Sequence, residues 1–365
     1  MTFDTLKSSF KDKKVFLTGH TGFKGSWMLC ILRELGAIVK GYALQPNSKE
    51  DLFCQIGGDN LCDSIIHDIL DLDQLRNSLI SFKPDYIFHF AAQALVLESY
   101  KKPIYTYDVN VIGTANLLSS FQKLNNSCTL IVITTDKVYN NREWHYPYRE
   151  VDELGGHDPY SSSKACAELL VSSFQRSFFS LDRIEEHNKR IATARAGNVI
   201  GGGDWSENRI IPDTIKSLLN NEKIHLRNPK AIRPWQHVME PLFGYLLLAA
   251  KLDQDPRLYS GAWNFGPDQH SDVTVEELAK TALQVWGRRI DNLTYGENKN
   301  QHQHEAMLLK LDINKSKNRL GWRPRLSQEE SIQLTINWYK QKYLNNIDPK
   351  EITLNQIKDY ISLIN

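Results

Sequence analysis

The sequence TGHTGFKG at residues 18–25 carries the strongest structural signal in this chain. Its three glycines, Gly19, Gly22 and Gly25, follow a short apolar run at 14–18 and precede a segment with apolar residues at helical spacing. Glycines between a strand and a helix let backbone amides and the positive helix terminus approach a pyrophosphate without intervening Cβ atoms. A tight turn with close helix packing would use the same residues, but the strand before them and the helix after them favour a dinucleotide-binding site.

Further strands are predicted at intervals along the chain. The β-rich runs lie at 38–44, 64–67, 86–90, 130–134 and 191–194. Helix-length segments, such as 72–82 and 106–124, separate these runs. Continuous apolar runs are typical of strands buried on both faces of a parallel sheet, joined by right-handed crossovers. The predicted fold class is therefore α/β, a doubly wound parallel Rossmann sheet with a smaller C-terminal substrate-binding domain.

The pattern changes after residue 197, where GNVIGGGDW is loop-like. Ser327 and Glu330 have capping-box spacing and predict the start of a helix. Other predicted helices lie at 212–219 and 274–285, and the predicted loops are the polar segments 181–189 and 291–304. The predicted domains are a dinucleotide-binding domain at 1–197, to which 234–266 returns, and a substrate-binding domain at 198–233 and 267–365.

Composition and charge describe an ordinary folded protein. The chain has 365 residues, of which 41% are hydrophobic and 24% charged, as is usual for globular proteins. Lys and Arg number 44 against 43 Asp and Glu, and the formal net charge of +1 predicts no nucleic-acid partner and no anionic membrane partner. The sequence contains no apolar run long enough to span a bilayer, and its N-terminus lacks the apolar core of a signal peptide. Five cysteines without a CxxC pair predict reduced thiols, so we expect a cytoplasmic protein.

The end of the second predicted strand lacks the acidic residue that usually binds the ribose 2′-hydroxyl. Ala43, Leu44 and Gln45 occupy these positions, and no arginine replaces the acid. Residue chemistry therefore leaves the choice between NAD and NADP open. Asp68, after the third strand, is a candidate adenine contact, although a helix cap or a turn would place an aspartate there equally well.

Tyr160 and Lys164 stand four residues apart in DPYSSSKACAELL. Asp158 can cap a helix that Pro159 begins, which would put the phenol and the ammonium group on one face. A phenol with an ordinary pKa of about 10 is a poor base at neutral pH, but a neighbouring ammonium group and an oxidised nicotinamide would lower that pKa. Most such pairs are ordinary surface residues. Because this one follows a strand of a predicted dinucleotide fold, we interpret Tyr160 as a base for oxidising an alcohol.

Thr135, Asp136 and Lys137 follow the predicted strand that ends at Thr134. Open α/β sheets bind their ligands at the carboxyl ends of the strands. There, a threonine can hydrogen-bond a substrate hydroxyl and a carboxyl group can protonate a leaving hydroxide. A desolvated lysine can remove a carbon-bound proton or stabilise an enolate. Taken alone, the same residues would be typical of a solvated turn.

Taken together, the motifs resemble the extended short-chain dehydrogenase/reductase family that acts on nucleotide sugars, and within it the 4,6-dehydratases. The stretches that carry the resemblance are GHTGFKGSW at 19–27, HFAAQALV at 89–96, TTDKVY at 134–139, GGHDPYSSSKACAE at 155–168, RAGNVIGGGDW at 195–205, RNPKAIRPWQHV at 227–238 and WNFGP at 263–267. They extend over nearly the whole chain, and the last four are much more specific than the glycine motif.

The resemblance implies that CDP-glucose is converted to CDP-4-dehydro-6-deoxy-D-glucose and water, with bound NAD as cofactor, in deoxysugar biosynthesis for surface polysaccharides. It implies that Tyr160 takes the proton of the sugar 4-hydroxyl, assisted by Thr135 and Lys164. Asp136 resembles the family's acid at O6. Lys137 stands where related dehydratases have glutamate, so it is either the base at C5 or a cation that stabilises the enolate. The implied cofactor contacts are Gly19, Thr21, Gly22, Phe23, Gly25, Asp68, Ala91, Tyr160 and Lys164.

Substrate contacts are also implied by the resemblance, at Asn198, Arg209, Arg233, Asn264 and His304. Asn198 and Arg233 match positions that hold the nucleotide diphosphate, a task suited to the forked donors of arginine. Arg233 could instead form a salt bridge at a domain seam. The HxH pattern that ends at His304 lies in a polar loop without further ligands, so we predict no metal site.

Two alternatives remain open from the sequence. An epimerase or a dehydratase for another nucleotide sugar would share the Tyr/Lys pair but not the acid and base candidates Asp136 and Lys137. A non-catalytic NAD(P)-binding sensor would not need the Tyr/Lys pair. Residue chemistry does not identify the nucleobase. Family members commonly pair through helices beside the sheet, here at 106–124 and 160–179, so we expect a homodimer or a larger homo-oligomer.

Overall fold

Within residues 2–268, 273–296 and 308–365, which the computed structural model describes, seven parallel strands form one sheet, accompanied by two small two-stranded sheets. The strands are β1 (Lys14–Thr18), β2 (Ile38–Ala43), β3 (Asp63–Ile66), β4 (Tyr86–His89), β5 (Cys128–Thr134), β6 (Lys189–Ala196), β7 (Val199–Ile200), β8 (Ile224–Leu226), β9 (Gln236–His237), β10 (Gly261–Phe265) and β11 (Leu293–Tyr295). The helices are α1 (Phe3–Phe10), α2 (Phe23–Glu34), α3 (Leu52–Gln55), α4 (Leu72–Phe82), α5 (Val96–Lys101), α6 (Pro103–Tyr107), α7 (Gly113–Gln122), α8 (Pro159–Ser177), α9 (Ile184–His187), α10 (Ile210–Leu219), α11 (Met239–Gln254), α12 (Pro256–Tyr259), α13 (Val275–Trp286), α14 (Gln328–Tyr343) and α15 (Pro349–Ile364).

The large sheet has the strand order β10-β6-β5-β4-β1-β2-β3, and every neighbouring pair is parallel. Val15 and Leu17 of β1 belong to one buried apolar cluster, whereas Phe16 between them belongs to another on the opposite face. Both faces are therefore covered, which confirms the predicted doubly wound α/β fold. The order reverses between β1 and β4, and the carboxyl ends of these two strands open a crevice at this switch point.

The segment 106–124 is not the single helix that the sequence predicts. It is divided into the end of α6, a π-helical turn at Asp108–Ile112, and α7. Asn110 in this turn is buried, and its amide group donates to the carbonyl of Gln93 and to the hydroxyl of Ser163 in α8. Asn110 of the π-helical turn thus contacts the helix that carries the Tyr/Lys pair.

The prediction of a loop at 181–189 is wrong. Residues 181–183 form a 3-10 turn, α9 follows it, and β6 begins at Lys189. Asn188 ends α9 in the left-handed conformation, with φ of 51°, and its amide donates to the carbonyl of Ile184. Polar composition indicated a loop, but these polar residues face solvent from a short helix.

The predicted helices at 212–219 and 274–285 are confirmed as α10 and α13, and the predicted capping box at Ser327 and Glu330 does begin α14. The loop prediction for 291–304 is wrong at its start, because β11 pairs there with β8. The remainder of that segment, beyond residue 296, lies outside the described residues. The predicted division into two domains stays a prediction, although β10 does form the edge of the large sheet. None of the helices described has the length and apolar content required to cross a bilayer.

Candidate active site

The glycine turn joins β1 to α2 at the switch point. Gly19 has φ of 73°, and a Cβ atom on it would lie 2.7 Å from the backbone nitrogen of Ala91. A Cβ atom on Gly25 would lie 2.1 Å from the carbonyl oxygen of Gly19. Gly22 is exposed, and no side chain in the described part of the chain caps the first turn of α2. The free amide groups and the tight approach of the backbone fit the pyrophosphate of a dinucleotide.

The other predicted cofactor residues lie around this turn. Thr21 donates through Oγ1 to the carbonyl of Leu44, which stands half-exposed where a ribose-binding acid would follow β2. Phe23 is half-buried at the start of α2. Asp68 accepts a 3.0 Å hydrogen bond from the amide of Leu70, so its carboxylate closes the turn after β3. A cofactor contact by Asp68 remains a prediction beside this observed turn role.

The Tyr/Lys pair lies in the first two turns of α8. Asp158 and Ser161 form a capping box, and Pro159 is the first helical residue, so the helix begins where the sequence predicts. The ammonium group of Lys164 donates 2.9 Å to the carbonyl of Ile133 in β5. This bond ties the face of α8 that bears Tyr160 to the strand whose end carries the other candidate catalytic residues.

Burial shifts the pKa values of both Tyr160 and Lys164. Desolvation raises the pKa of Tyr160 to about 12, opposed by its hydrogen bond with Thr135 and by the charge of Arg209. Desolvation lowers the pKa of Lys164 to about 8, opposed by Glu168. Without a further positive charge Tyr160 is therefore a phenol at neutral pH, and it can act as a base only when a bound cation stabilises the phenolate.

The carboxylate of Asp136 is buried and held by two side chains. Thr135 donates through Oγ1 to Oδ1 at 2.9 Å, and Asn198 donates through Nδ2 to Oδ2 at 3.3 Å. A Cβ atom on Gly197 would lie 1.9 Å from Oδ2, so only glycine permits this approach of the loop after β6. Lys137, by contrast, is exposed.

The predicted substrate residues that the structure describes each have different contacts. Asn198 contacts Asp136, as described above, with φ of 52°. Arg209 donates 3.1 Å to Asp204 at the start of α10. Arg233 is half-buried and donates to the carbonyl of Ile232. His304 lies outside the described residues.

Asn264 is placed differently from the prediction of a substrate contact. Both of its N–H donations go to backbone carbonyls, those of Tyr148 and Asp312, and its Oδ1 accepts from the hydroxyl of Tyr139. The side chain is fully buried. Asn264 therefore tethers segments from different parts of the chain, since donation to a ligand would break one of these bonds.

A cavity opens beside Asp136, between the loops after β6 and β10. Gly197, Pro234, Gly266 and Lys310 are among the residues that line it. Its position next to the buried carboxylate makes it the place where a polar substrate would meet the candidate acid.

Lys24 is a group that the sequence reasoning missed. It lies inside the glycine motif, and burial, with the charge of Arg209, lowers its pKa to about 8, whereas Asp136 raises it. In the sequence, the signal that could have identified this group was a lysine between two glycines of the motif. Over the three described ranges, no cluster of three or more His, Cys, Asp and Glu side chains is arranged to hold a metal ion.

Comparisons with known proteins agree with this geometry. A family model described as GDP-mannose 4,6 dehydratase matches residues 16–335. The CDP-glucose 4,6-dehydratase of Salmonella typhimurium is 46% identical over 356 residues, which cover 98% of this chain and 98% of that protein. The sequence resemblance to nucleotide-sugar dehydratases is thereby confirmed.

Two solved structures share the fold. The UDP-glucose 4-epimerase of Thermotoga maritima, with UDP-glucose, has a TM-score of 0.76 at 23% identity and covers 91% of this chain and 99% of its own. DesIV, a dTDP-glucose 4,6-dehydratase from Streptomyces venezuelae with NAD and TYD bound, has a TM-score of 0.76 at 21% identity, covering 92% and 99%. From the length of the family match and the identity to the Salmonella enzyme, we conclude that this chain belongs to the GDP-mannose 4,6 dehydratase family.

Proposed function

We propose that this protein is an NAD-dependent CDP-glucose 4,6-dehydratase that converts CDP-D-glucose to CDP-4-dehydro-6-deoxy-D-glucose and water. The observation that carries the proposal is the meeting of the Tyr160 and Lys164 helix with Thr135 and Asp136 at the carboxyl end of β5. The dehydratase that is 46% identical over nearly the full length supports both the reaction and the cytidine nucleotide.

The glycine turn is the proposed cofactor site. Gly19, Gly22 and Gly25 would let the backbone approach the pyrophosphate of the cofactor, and Lys164, held at the end of β5, would contact the same dinucleotide. Bound NAD would supply the oxidant for C4 of the sugar and, in its reduced form, the reductant for C6. The NAD in the DesIV structure supports this choice of cofactor.

Tyr160 is the proposed base for the sugar 4-hydroxyl. Its pKa of about 12 in the protein alone must fall before it can accept that proton. The positive charge of Lys164 and that of an oxidised nicotinamide both favour the phenolate. The chain is therefore built to deprotonate the sugar only after the cofactor is in place, with Thr135 oriented by its bond to Asp136.

Asp136 is the proposed acid in the elimination. Once C4 is a ketone, loss of the C5 proton to a base forms the C5–C6 double bond, the C6–O6 bond breaks, and the leaving hydroxide takes a proton from Asp136 to form water. Lys137 is the candidate at C5, either as that base or as an ammonium group that stabilises the enolate. Because its side chain is exposed, the base role requires that the substrate cover it.

The assembly and location form part of the proposal. Ile112 beside α7 and Leu169 on α8 are 51% and 59% exposed, although both are large and apolar. Exposed apolar side chains on these two neighbouring helices support a homodimer. The five free thiols are compatible with a reducing, cytoplasmic location. Residues 198–233 and 267–365 are the proposed substrate-binding domain.

The test is incubation of purified protein with CDP-glucose and a catalytic amount of NAD, followed by mass spectrometry. We expect a sugar nucleotide lighter by one water and no net reduced cofactor. A product of unchanged mass would indicate an epimerase, and stoichiometric reduced cofactor would indicate a simple dehydrogenase. Parallel reactions with the GDP, UDP and dTDP sugars test the nucleobase, and binding of dinucleotide without turnover of any sugar would leave the sensor alternative.

A further inference from the structure

A buried ion pair lies behind the Tyr/Lys face of α8. Glu168 and Arg195 are each only 3% exposed in their side chains, and Nε of Arg195 lies 2.9 Å from Oε1 of Glu168 while Nη2 lies 3.0 Å from Oε2. The contact is thus bidentate. A fully buried ion pair is weak support for stability, because desolvation offsets much of the attraction, so its role must be sought in what it holds.

Glu168 joins the helix to two strands. Its carboxylate also accepts 2.5 Å from the hydroxyl of Thr134 at the end of β5 and 2.7 Å from that of Thr193 in β6. Glu168 follows Tyr160 and Lys164 at the same four-residue spacing, so the three side chains share one face of α8. Thr134 directly precedes Thr135 and Asp136. The carboxylate therefore couples the two halves of the proposed catalytic centre.

Arg195 holds the other end of the same segment. Its Nη1 donates 2.8 Å to the hydroxyl of Tyr139, and its guanidinium lies 4.9 Å from the centre of the Tyr139 ring. The Tyr139 hydroxyl in turn donates 2.8 Å to Asn264 in β10. The ion pair thus contacts both residues that flank the candidate acid segment, one at position 134 and the other at position 139.

We propose that Glu168 and Arg195 are a positioning pair that holds the segment carrying Thr135 and Asp136 at a fixed distance from Tyr160 and Lys164. This role rests on the proposed function, because it concerns the geometry of that reaction. Neither residue touches the substrate. Both act through Thr134 and Tyr139, and a small displacement of a catalytic group is sufficient to slow a reaction on the order of 100-fold.

The test compares Glu168→Gln with Glu240→Gln. Glu240 is a matched control, since it is also fully buried and its carboxylate accepts from the amides of Arg325 and Leu326 and the hydroxyl of Tyr360, away from α8. We expect Glu168→Gln to lower kcat on the order of 100-fold with KM for CDP-glucose changed less than about threefold. Glu240→Gln should lower the melting temperature while kcat stays within about twofold.

A double-mutant cycle shows whether the two residues act as a unit. Glu168→Gln combined with Arg195→Gln should lose no more kcat than either single variant, because each single change already breaks the pair. If Glu168→Gln fails to fold, Thr193→Val replaces it. That variant removes one hydrogen bond to the carboxylate, and we expect a kcat loss of roughly threefold or more.

Several results would overturn the role. These are an unchanged kcat in Glu168→Gln or Thr193→Val, an effect confined to KM, an equal kcat loss in Glu240→Gln, or additive losses in the double variant. Wild-type protein that released no water from CDP-glucose would instead overturn the proposed function, and this role with it. Normal wild-type turnover with an unaffected Glu168→Gln variant would remove the positioning role alone.

Discussion

The side-chain amide of Asn198 donates a 3.3 Å hydrogen bond to Oδ2 of Asp136, a residue 62 positions earlier in the chain. Since Thr135 occupies Oδ1, both oxygens of the carboxylate have a donor from the protein. Gly197 permits the contact because any side chain there would overlap the carboxylate. The loop after β6 is therefore shaped around Asp136, and Asn198 contacts the candidate acid, whereas its contact with a diphosphate stays a prediction.

We expect Asn198→Ala to lower kcat by roughly 10-fold to 100-fold, because the variant loses the side chain that orients the candidate acid. KM for CDP-glucose should change little, and reduced cofactor should build up because protonation at O6 becomes slow while oxidation at C4 continues. Steady-state kinetics with rapid-scan absorbance measures both quantities. A raised KM with unchanged kcat would indicate that Asn198 binds the nucleotide and does not orient Asp136.

Replacing Tyr160 by Phe should slow the oxidation of C4 by about 100-fold to 10,000-fold, the usual contribution of a general base. Cofactor affinity should be retained, because the ring remains. Single-turnover absorbance of reduced nicotinamide reports the oxidation, and fluorescence titration reports binding. Tyr343→Phe is the control, since that hydroxyl contacts Glu50 on the surface and should leave the rate unchanged. Oxidation at the normal rate in Tyr160→Phe would rule out Tyr160 as the base.

Lys137→Ala should stall the reaction after oxidation. Because Lys137 is exposed, the change should not destabilise the fold, so a loss of water release of about 100-fold can be attributed to chemistry. The measurement is the fraction of enzyme-bound cofactor that stays reduced after mixing with CDP-glucose. Lys358→Ala, another exposed lysine, should behave as wild type. Complete product formation by Lys137→Ala would exclude Lys137 from the elimination.

Stability should depend on pH through Lys164. Burial lowers its pKa to about 8 from 10.5, so the unfolded chain binds the additional proton between these values and wild type gains stability as pH rises through them. Relative to Lys164→Met, the free energy of unfolding of wild type should increase by about 3 kcal/mol from pH 7 to pH 10.5. Denaturant unfolding at both pH values measures this. Lys358→Met is the control, because it removes an exposed lysine and should show the same pH dependence of the free energy of unfolding as wild type. A difference in unfolding free energy between wild type and Lys164→Met that does not change with pH would contradict the prediction.

Leu169→Arg should convert the proposed homodimer to monomers. A charged group at the centre of an apolar interface is costly to desolvate, whereas on a free surface it costs little. Sedimentation velocity distinguishes the two states. Leu344→Arg changes a leucine of similar exposure, 53%, at the end of α14 and should leave the assembly intact. Wild-type protein that sediments as a monomer, or a Leu169→Arg protein that still sediments as a dimer, would exclude this face as the interface.

Local signals in the sequence determined the glycine turn with its flanking strand and helix, and the helix that carries the Tyr/Lys pair. The glycine turn at 18–25, the strand before it and the helix after it depend on neighbours in sequence and on backbone sterics, so the sequence predicted all three. The same holds for Tyr160 and Lys164, because Asp158 and Pro159 fix where α8 begins and four residues make one helical turn.

Only the tertiary structure decided how the remaining site residues are used. Three of the contacts join segments that are distant in the chain: the bond from Asn198 to Asp136, the bonds from Asn264 to two backbone carbonyls, and the Glu168–Arg195 ion pair. The exposure of Lys137 likewise depends on what packs around it. Residue type limits which hydrogen bonds a side chain can form, but its partner is set by strand order, by backbone approach at positions such as Gly197, and by burial. These are properties of the assembled sheet and loops, which no local pattern encodes.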